Sequence, residues 1–326
     1  MENAKSTKTS PGIIGIFKQA YSTLSRHAYL IMFPLILDLF LLLGPKFNVI
    51  SVAEKVFGKI TIPELAKNLQ EQITVAYEVL LSSIENYNLS SLLRTAPLGI
   101  PSLFSKRLFV EDIVPNGYVF HLSTIQQVGL CAVLFSFIGI VFTALYLSLI
   151  ARANESPATG KRNNFIFTVL NLIALSFTYI FIAFAILLPG IFIISLVTVF
   201  SLSMGSVFFI ILRIVLISLL IPFIFAPCAV VTQKINFVPA LKHSLATIKP
   251  IYRETTLFIF VALIINMLTS LLWNLPKDGS WLLFVGALGH AIVSTLILVA
   301  FFHFYNEAVK YTNYKSIIIV GSENQI

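Results

Sequence analysis

Apolar residues fill this chain in long runs, and the polar positions that separate the runs are mostly basic and clustered. Residues 165–232 carry a single formal charge, Arg213. A helix in a water-soluble domain keeps a polar face toward solvent, which such a run cannot supply. Bilayer hydrocarbon about 30 Å thick accepts roughly 20 apolar residues per helical crossing, so the run predicts at least two crossings. Over the whole chain six fit: 28–44, 127–151, 165–188 extending past a break at Pro189-Gly190, 206–232, 255–274 and 281–305.

Charge decides how the central run divides. Arg152, Lys161 and Arg162 precede it, and Lys234, Lys242, Lys249 and Arg253 follow it. Two spans return both clusters to one side of the membrane, whereas three would separate them against the positive-inside tendency. With the N-terminus in the cytoplasm, the inner segments hold thirteen basic and five acidic residues. The outer segments, 45–126 and 275–280, hold eight of each. The sequence thus predicts a cell-membrane protein with both termini cytoplasmic. Its fold class is all-α, a polytopic transmembrane helical bundle of about six spans with an extracytoplasmic helical insertion after span one. Residues 1–27 form a tail and interfacial helix, 28–44 the first span, 45–126 the outer subdomain, and 127–326 a five-span bundle.

Composition agrees. Hydrophobic residues make up 57% of the chain, charged residues only 11%, and the mean hydropathy is +0.92. Globular chains carry about 25% charged residues. The net charge of +8 lies beside apolar runs, which points to membrane orientation and not to nucleic acid. Cys131 and Cys228 both fall in expected spans and read as small core residues instead of a disulfide.

Near the N-terminus, Ile13, Ile14, Phe17, Tyr21 and Leu24 share a face opposite Lys18, Ser22, Ser25 and Arg26. The reading is an interfacial helix over 12–26 leading into an uncleaved span. In the outer segment, Thr61-Ile62-Pro63-Glu64 has capping-box spacing and opens an amphipathic helix to Tyr87, with a second helix at roughly 47–59 before it. Glu64, Glu71, Glu78 and Glu85 recur every seven residues. That line could meet a cation or a protein partner, but a solvated face opposite a packed stripe is the favoured reading. Residues 88–120 mix proline, glycine and apolar clusters and predict a structured, partly membrane-dipping loop; Asn88-Leu89-Ser90 is a weak glycosylation sequon.

The stretch FIFAPCAVVTQKINFVPALKHSLATIKPIYRETTLF resembles uncharacterised six-span prokaryotic membrane proteins related to the membrane domain of some glycerophosphodiester phosphodiesterases. The shared features are Ala226-Pro227 and Val230-Val231 closing a span, then Ala240-Leu241 and Ser244 on a short amphipathic helix. A Pro- and Asp-containing first span, Phe33-Pro34 to Asp38-Leu39, also looks similar. The resemblance implies a six-helix bundle; no phosphodiesterase catalytic domain is present, so no enzymatic role follows from it.

The sequence shows no phosphate loop, HExxH, CxxC, G-x-S-x-G or paired-His spacing, so no catalytic, cofactor or metal site is expected. The candidates are intramembrane polar groups: Asp38, Arg213 and His290. Asp38 and Arg213 lie at matching depth from the outer ends of spans one and four. They could form a solute-handling pair or a structural ion pair, or Arg213 could snorkel outward while neighbours cap Asp38. His290, among the small residues Gly286, Ala287, Gly289 and Ala291, reads first as a hydrogen-bonding partner for another helix. Pro34, Pro189, Pro222 and Pro227 are candidate helix breaks. Lys242, His243 and Lys249, on a helix over 236–249 capped by Asn236, are candidate headgroup contacts. Glu307 and Lys310 form an expected i,i+3 pair. The expected role is membrane organisation, assembly or partner binding, with membrane lipids as partners and a possible protein partner at the outer segment. The alternative is a small-solute or lipid permease using Asp38 and Arg213.

Overall fold

The computed structural model describes residues 12–57, 78, 81–82, 84–85, 87–95, 98–106, 118–154, 164–277 and 279–323. Within them the chain forms helices α1 (Ile13–Arg26), α2 (Met32–Leu43), α3 (Ile50–Phe57), α4 (Ile125–Asn154), α5 (Phe165–Phe200), α6 (Leu202–Leu220), α7 (Ala226–Gln233), α8 (Phe237–Ile248), α9 (Tyr252–Trp273) and α10 (Leu282–Glu323). Two short strands, β1 (Lys46–Asn48) and β2 (Val119–His121), pair in parallel with Lys46 opposite Val119. Five helical stretches are long and apolar enough to cross a membrane, or six if the bent pair Ile13–Arg26 and Ala28–Leu43 counts as one crossing. The fold is therefore an all-α polytopic bundle. The expected helix from Thr61 to Tyr87, with its line of glutamates, lies mostly outside the described residues.

Two compact units make up the chain. One comprises residues 1–30, 144–265 and 296–326; the other comprises 31–143 and 266–295. The first unit centres on an aromatic cluster. Phe258 stacks on Phe304 at 4.5 Å between ring centroids, and Phe225 packs against Phe301, Phe304 and Tyr305. Such rings supply large apolar surface with defined geometry. Helix α1 buries Ile16, Ala20 and Leu24 in this unit, and Phe17 lies against Phe258. Only part of its expected apolar face is covered by protein: Ile14 and Tyr21 remain 87% and 68% exposed. The packed stripe runs i, i+4, i+8, and the outer edge of the apolar arc is left for a lipid surface.

The prolines behave differently from one another. Pro34 and Pro227 lie in the first turns of α2 and α7, where a missing N–H has no intrahelical partner to lose. Pro189 does not break its helix: α5 runs through it for 36 residues. A proline removes one ladder bond, and in lipid unwinding would expose many more backbone groups. Pro222 is a true break, where a 3₁₀ turn at Ile221–Phe223 separates α6 from α7. The groups it frees are taken up by side chains. Ser244 Oγ donates to the Pro222 carbonyl at 2.8 Å and accepts from the Phe225 N–H at 3.2 Å. Tyr179 Oη donates to the Phe223 carbonyl at 2.6 Å.

The start of α8 is solved in a similar way. Asn236 occupies the N-cap position but makes no side-chain cap; Asn171 of α5 does so instead, accepting from the Phe237 N–H at 2.7 Å. Lys242 is exposed on this helix and Lys249 in the 3₁₀ turn that follows it, whereas His243 is half-buried with Nδ1 3.4 Å from Tyr305 Oη. Of the three expected headgroup contacts, His243 thus turns inward. Glu307 and Lys310 pair at 2.8 Å. Ser244→Ala leaves the Phe225 N–H and the Pro222 carbonyl buried without their partner, at about 1–3 kcal/mol. A thermal melt in detergent should show a clear drop for Ser244→Ala and none for Ser22→Ala on the exposed face of α1.

Candidate functional site

The second unit contains two of the intramembrane polar residues that sequence reasoning singled out, Asp38 and His290, in an arrangement it did not foresee. Its base is a small core of Leu89, Leu122 and Phe135, against which Phe47, Leu92 and Leu93 pack. Strand β1 is fixed by the Asn88 carboxamide, whose Oδ1 accepts from the N–H groups of both Phe47 and Ser90. Asn88 of the sequon is thus engaged in a structural turn. From there the described residues form two short 3₁₀ turns, Leu89–Arg94 and Phe104–Lys106, with non-helical chain at 98–103 before the second.

This irregular segment reaches the middle of a spanning helix. A Cβ on Gly139 would collide with the Leu93 carbonyl, and Thr95 Oγ1 lies 3.1 Å from Thr143 Oγ1. Gly139 is the midpoint of α4, about 21 Å along the helix from Ile125 at 1.5 Å per residue. Thr95 adopts left-handed φ (48°), and a Cβ on Gly99 would strike the Arg94 carbonyl, so the turn closes only because residue 99 has none. Non-helical backbone at such depth is tolerated only where protein or a water-filled cavity satisfies its polar groups.

Asp38 supplies that satisfaction. It is fully buried on α2, about 8 Å from the Leu43 end. Its Oδ1 accepts from Ser102 Oγ at 2.6 Å, from the Leu103 N–H at 2.9 Å and from the Phe104 N–H at 3.3 Å; its Oδ2 accepts from Leu103 at 3.2 Å. Ser102 Oγ in turn accepts from the Ser105 N–H. One carboxylate therefore holds the N-terminal end of the second turn. His290, on α10 about 12 Å from Leu282, places Nδ1 3.4 Å from Asp38 Oδ2. The two groups are adjacent, but their geometry is too poor to count as a hydrogen bond, and Nδ1 has no hydrogen-bond partner.

Ser102, His290 and Asp38 are the residue types of a hydrolase triad, but their order is wrong for a relay. A triad needs the imidazole between hydroxyl and carboxylate, so that it takes the hydroxyl proton. Here Asp38 lies between the other two, and the Ser102 proton goes directly to the carboxylate.

Arg213 belongs to the first unit, is exposed on α6, and places its guanidinium 4.5 Å from the Phe209 ring centroid one turn away. Among the described residues, Arg94 is a cation that interacts electrostatically with Asp38. Its contact is Ser105 Oγ at 3.4 Å.

The glycines expected to allow close packing do so with Trp273 of α9. A Cβ on Gly289 would meet its ring at about 2.5 Å, and one on Gly286 its carbonyl at 2.8 Å. Arg94, Ser102 and Trp273 were not anticipated as site residues. A loop with Pro97, Gly99 and Pro101 that also carries one Arg and two Ser, in a chain with an isolated Asp in its first apolar run, was the available signal.

These features define a polytopic α-helical membrane protein with a buried polar cluster at the level of an irregular inserted segment. Comparison with protein-family models, with curated proteins and with solved structures finds no match to this chain. Asp38→Leu removes the carboxylate that accepts from Ser102, Leu103 and Phe104 and should destabilise by about 3–5 kcal/mol; Arg213→Leu should change stability by under about 0.5 kcal/mol. Melts of the single and double variants should be additive, and exchanging the two charges should restore nothing.

Proposed function

We propose that this chain is a non-enzymatic, multi-pass protein of the cell membrane, with both termini in the cytoplasm, serving membrane organisation, assembly or partner binding. The observation that carries this reading is the use made of Asp38. Its carboxylate is occupied by backbone N–H groups and a serine hydroxyl of its own unit. The other polar groups at helix breaks, Ser244, Tyr179 and Asn171, are likewise engaged with backbone. Polar side chains are spent on holding the fold, as expected of a scaffold. A permease built on Asp38 and Arg213 has less support, because Arg213 contacts Phe209 and Asp38 has its partners elsewhere.

The inner-face assignment is supported by charge. Basic residues flank the apolar runs at 152–162 and 234–253, and Lys242 and Lys249 are exposed there, where each positive charge near anionic headgroups contributes about 1 kcal/mol. The resemblance to six-span proteins without a catalytic domain points the same way. In a background lacking Cys131 and Cys228, a cysteine at Lys277 should react with an impermeant maleimide on intact cells, and one at Lys242 only after permeabilisation. The reverse pattern overturns the orientation. Asp38→Asn in reconstituted vesicles should leave solute flux at the background of empty vesicles, as wild type does; wild-type flux that this substitution abolishes would make the protein a permease.

A further inference from the structure

Helix α8 has two faces that call for different surroundings. At about 100° per residue, Lys242 and Lys249 of the following turn lie within about 20° of each other, and Val238 and Leu245 within about 60° of Lys242. All four are exposed, Val238 at 45% and Leu245 at 47%. Cations set among apolar side chains suit a helix lying in a membrane surface, where the apolar groups enter the acyl boundary and the cations meet anionic headgroups. His243 sits about 100° from Lys242, at the border between this face and the buried stripe of Ala240, Ser244 and Thr247.

At that border the imidazole faces inward. Its Nδ1 lies 3.4 Å from both Tyr305 Oη and Thr247 Oγ1. Tyr305 is buried on α10, and its Oη accepts from Gln233 Nε2 at 2.8 Å, so its own proton is available to an unprotonated Nδ1. A protonated imidazole only donates, and would set an N–H against that proton. Burial pulls His243 below its ordinary value of 6.5, with no charged side chain contributing. The other titratable groups at this point are Tyr305 and, beyond it, Cys228 of α7. The cations of its own segment, Lys242 and Lys249, lie on the exposed face.

We propose that α8 binds anionic phospholipid in a pH-dependent way, with His243 as the switch. Neutral, His243 is held inward by Tyr305 and Thr247; protonated, it turns outward and joins Lys242 and Lys249 on the headgroups. The inward site disfavours the proton and the anionic surface favours it, so falling pH moves the population outward. A third cation at the surface strengthens the hold on anionic lipid about fivefold. The switch rests on the reading of α8 as a helix at the membrane surface and adds its regulation.

The test uses full-length protein in lipid nanodiscs, with Cys131 and Cys228 replaced and an environment-sensitive fluorophore on Ala246→Cys, an exposed position of α8. The discs hold phosphatidylcholine alone or mixed with phosphatidylglycerol, and the pH is lowered from about 7.5 to about 5.5, across the ordinary histidine value. The expected result is a reversible shift of the emission toward that of an apolar environment in the anionic discs, and little change in phosphatidylcholine alone. His243→Gln should lose the response, and His243→Lys should show the low-pH emission throughout. Tyr305→Phe keeps the ring but releases the imidazole, and should move the midpoint to higher pH, which a purely structural role for Tyr305 would not do. If His243→Lys does not fold, the other two variants decide. A response that survives in His243→Gln, or is equally large in phosphatidylcholine, overturns the proposal. Free quenching of the fluorophore by aqueous iodide at both ends of the pH range overturns the surface placement and the switch with it. A shielded fluorophore that gives no response in anionic discs overturns the switch alone.

Discussion

In an apolar solvent every backbone N–H and C=O needs a partner from the protein itself, and this constraint organises both units. Within a helix the ladder supplies partners automatically. Wherever the ladder stops, a side chain must take over, and the chain meets that demand with few polar residues. Pro222 opens a gap between α6 and α7 that Ser244 and Tyr179 close. The first turn of α8 leaves an N–H that Asn171 closes. In the irregular segment around Thr95 and Ser102, the turn at Phe104 depends on Asp38.

The two charged residues of the expected spans illustrate how differently a charge can be tolerated in lipid. Asp38 is wholly enclosed, so desolvation is severe and only several donors at once can offset it. It functions as the cap of a distant turn, which explains why an acid lies in an otherwise apolar helix. Arg213 remains on the surface of its helix, lies over Phe209, and has a long stem with which to reach a polar interface. Equal depth in the sequence made an ion pair between them geometrically attractive. Their surroundings give each a separate solution.

Several features were legible because they are periodic or depend on local composition. Charge depletion over 165–232 announced the α5–α6 pair; the small residues Gly286 and Gly289 announced a close helix contact, now seen with Trp273; and Glu307 beside Lys310 announced their pair. The amphipathic arc of α1 was legible too, but not the division of that arc between a protein-covered stripe at Ile16, Ala20 and Leu24 and an open edge at Ile14 and Tyr21. Proline content located the possible breaks without ranking them. A proline breaks a helix only where other groups accept the freed carbonyls, and those groups lie far along the chain.

Sequence alone determined the solvent of this protein, because burying so many apolar side chains without a polar face leaves lipid as their surroundings. It also determined the long apolar helices, since i to i+4 bonding is local. Tertiary structure alone decided what the polar residues do. Asp38 meets Ser102 across 64 residues, and Tyr179 meets Phe223 across 44. No periodicity connects such positions; they are joined by the need to satisfy backbone groups that the chain's path, and not its local pattern, leaves exposed.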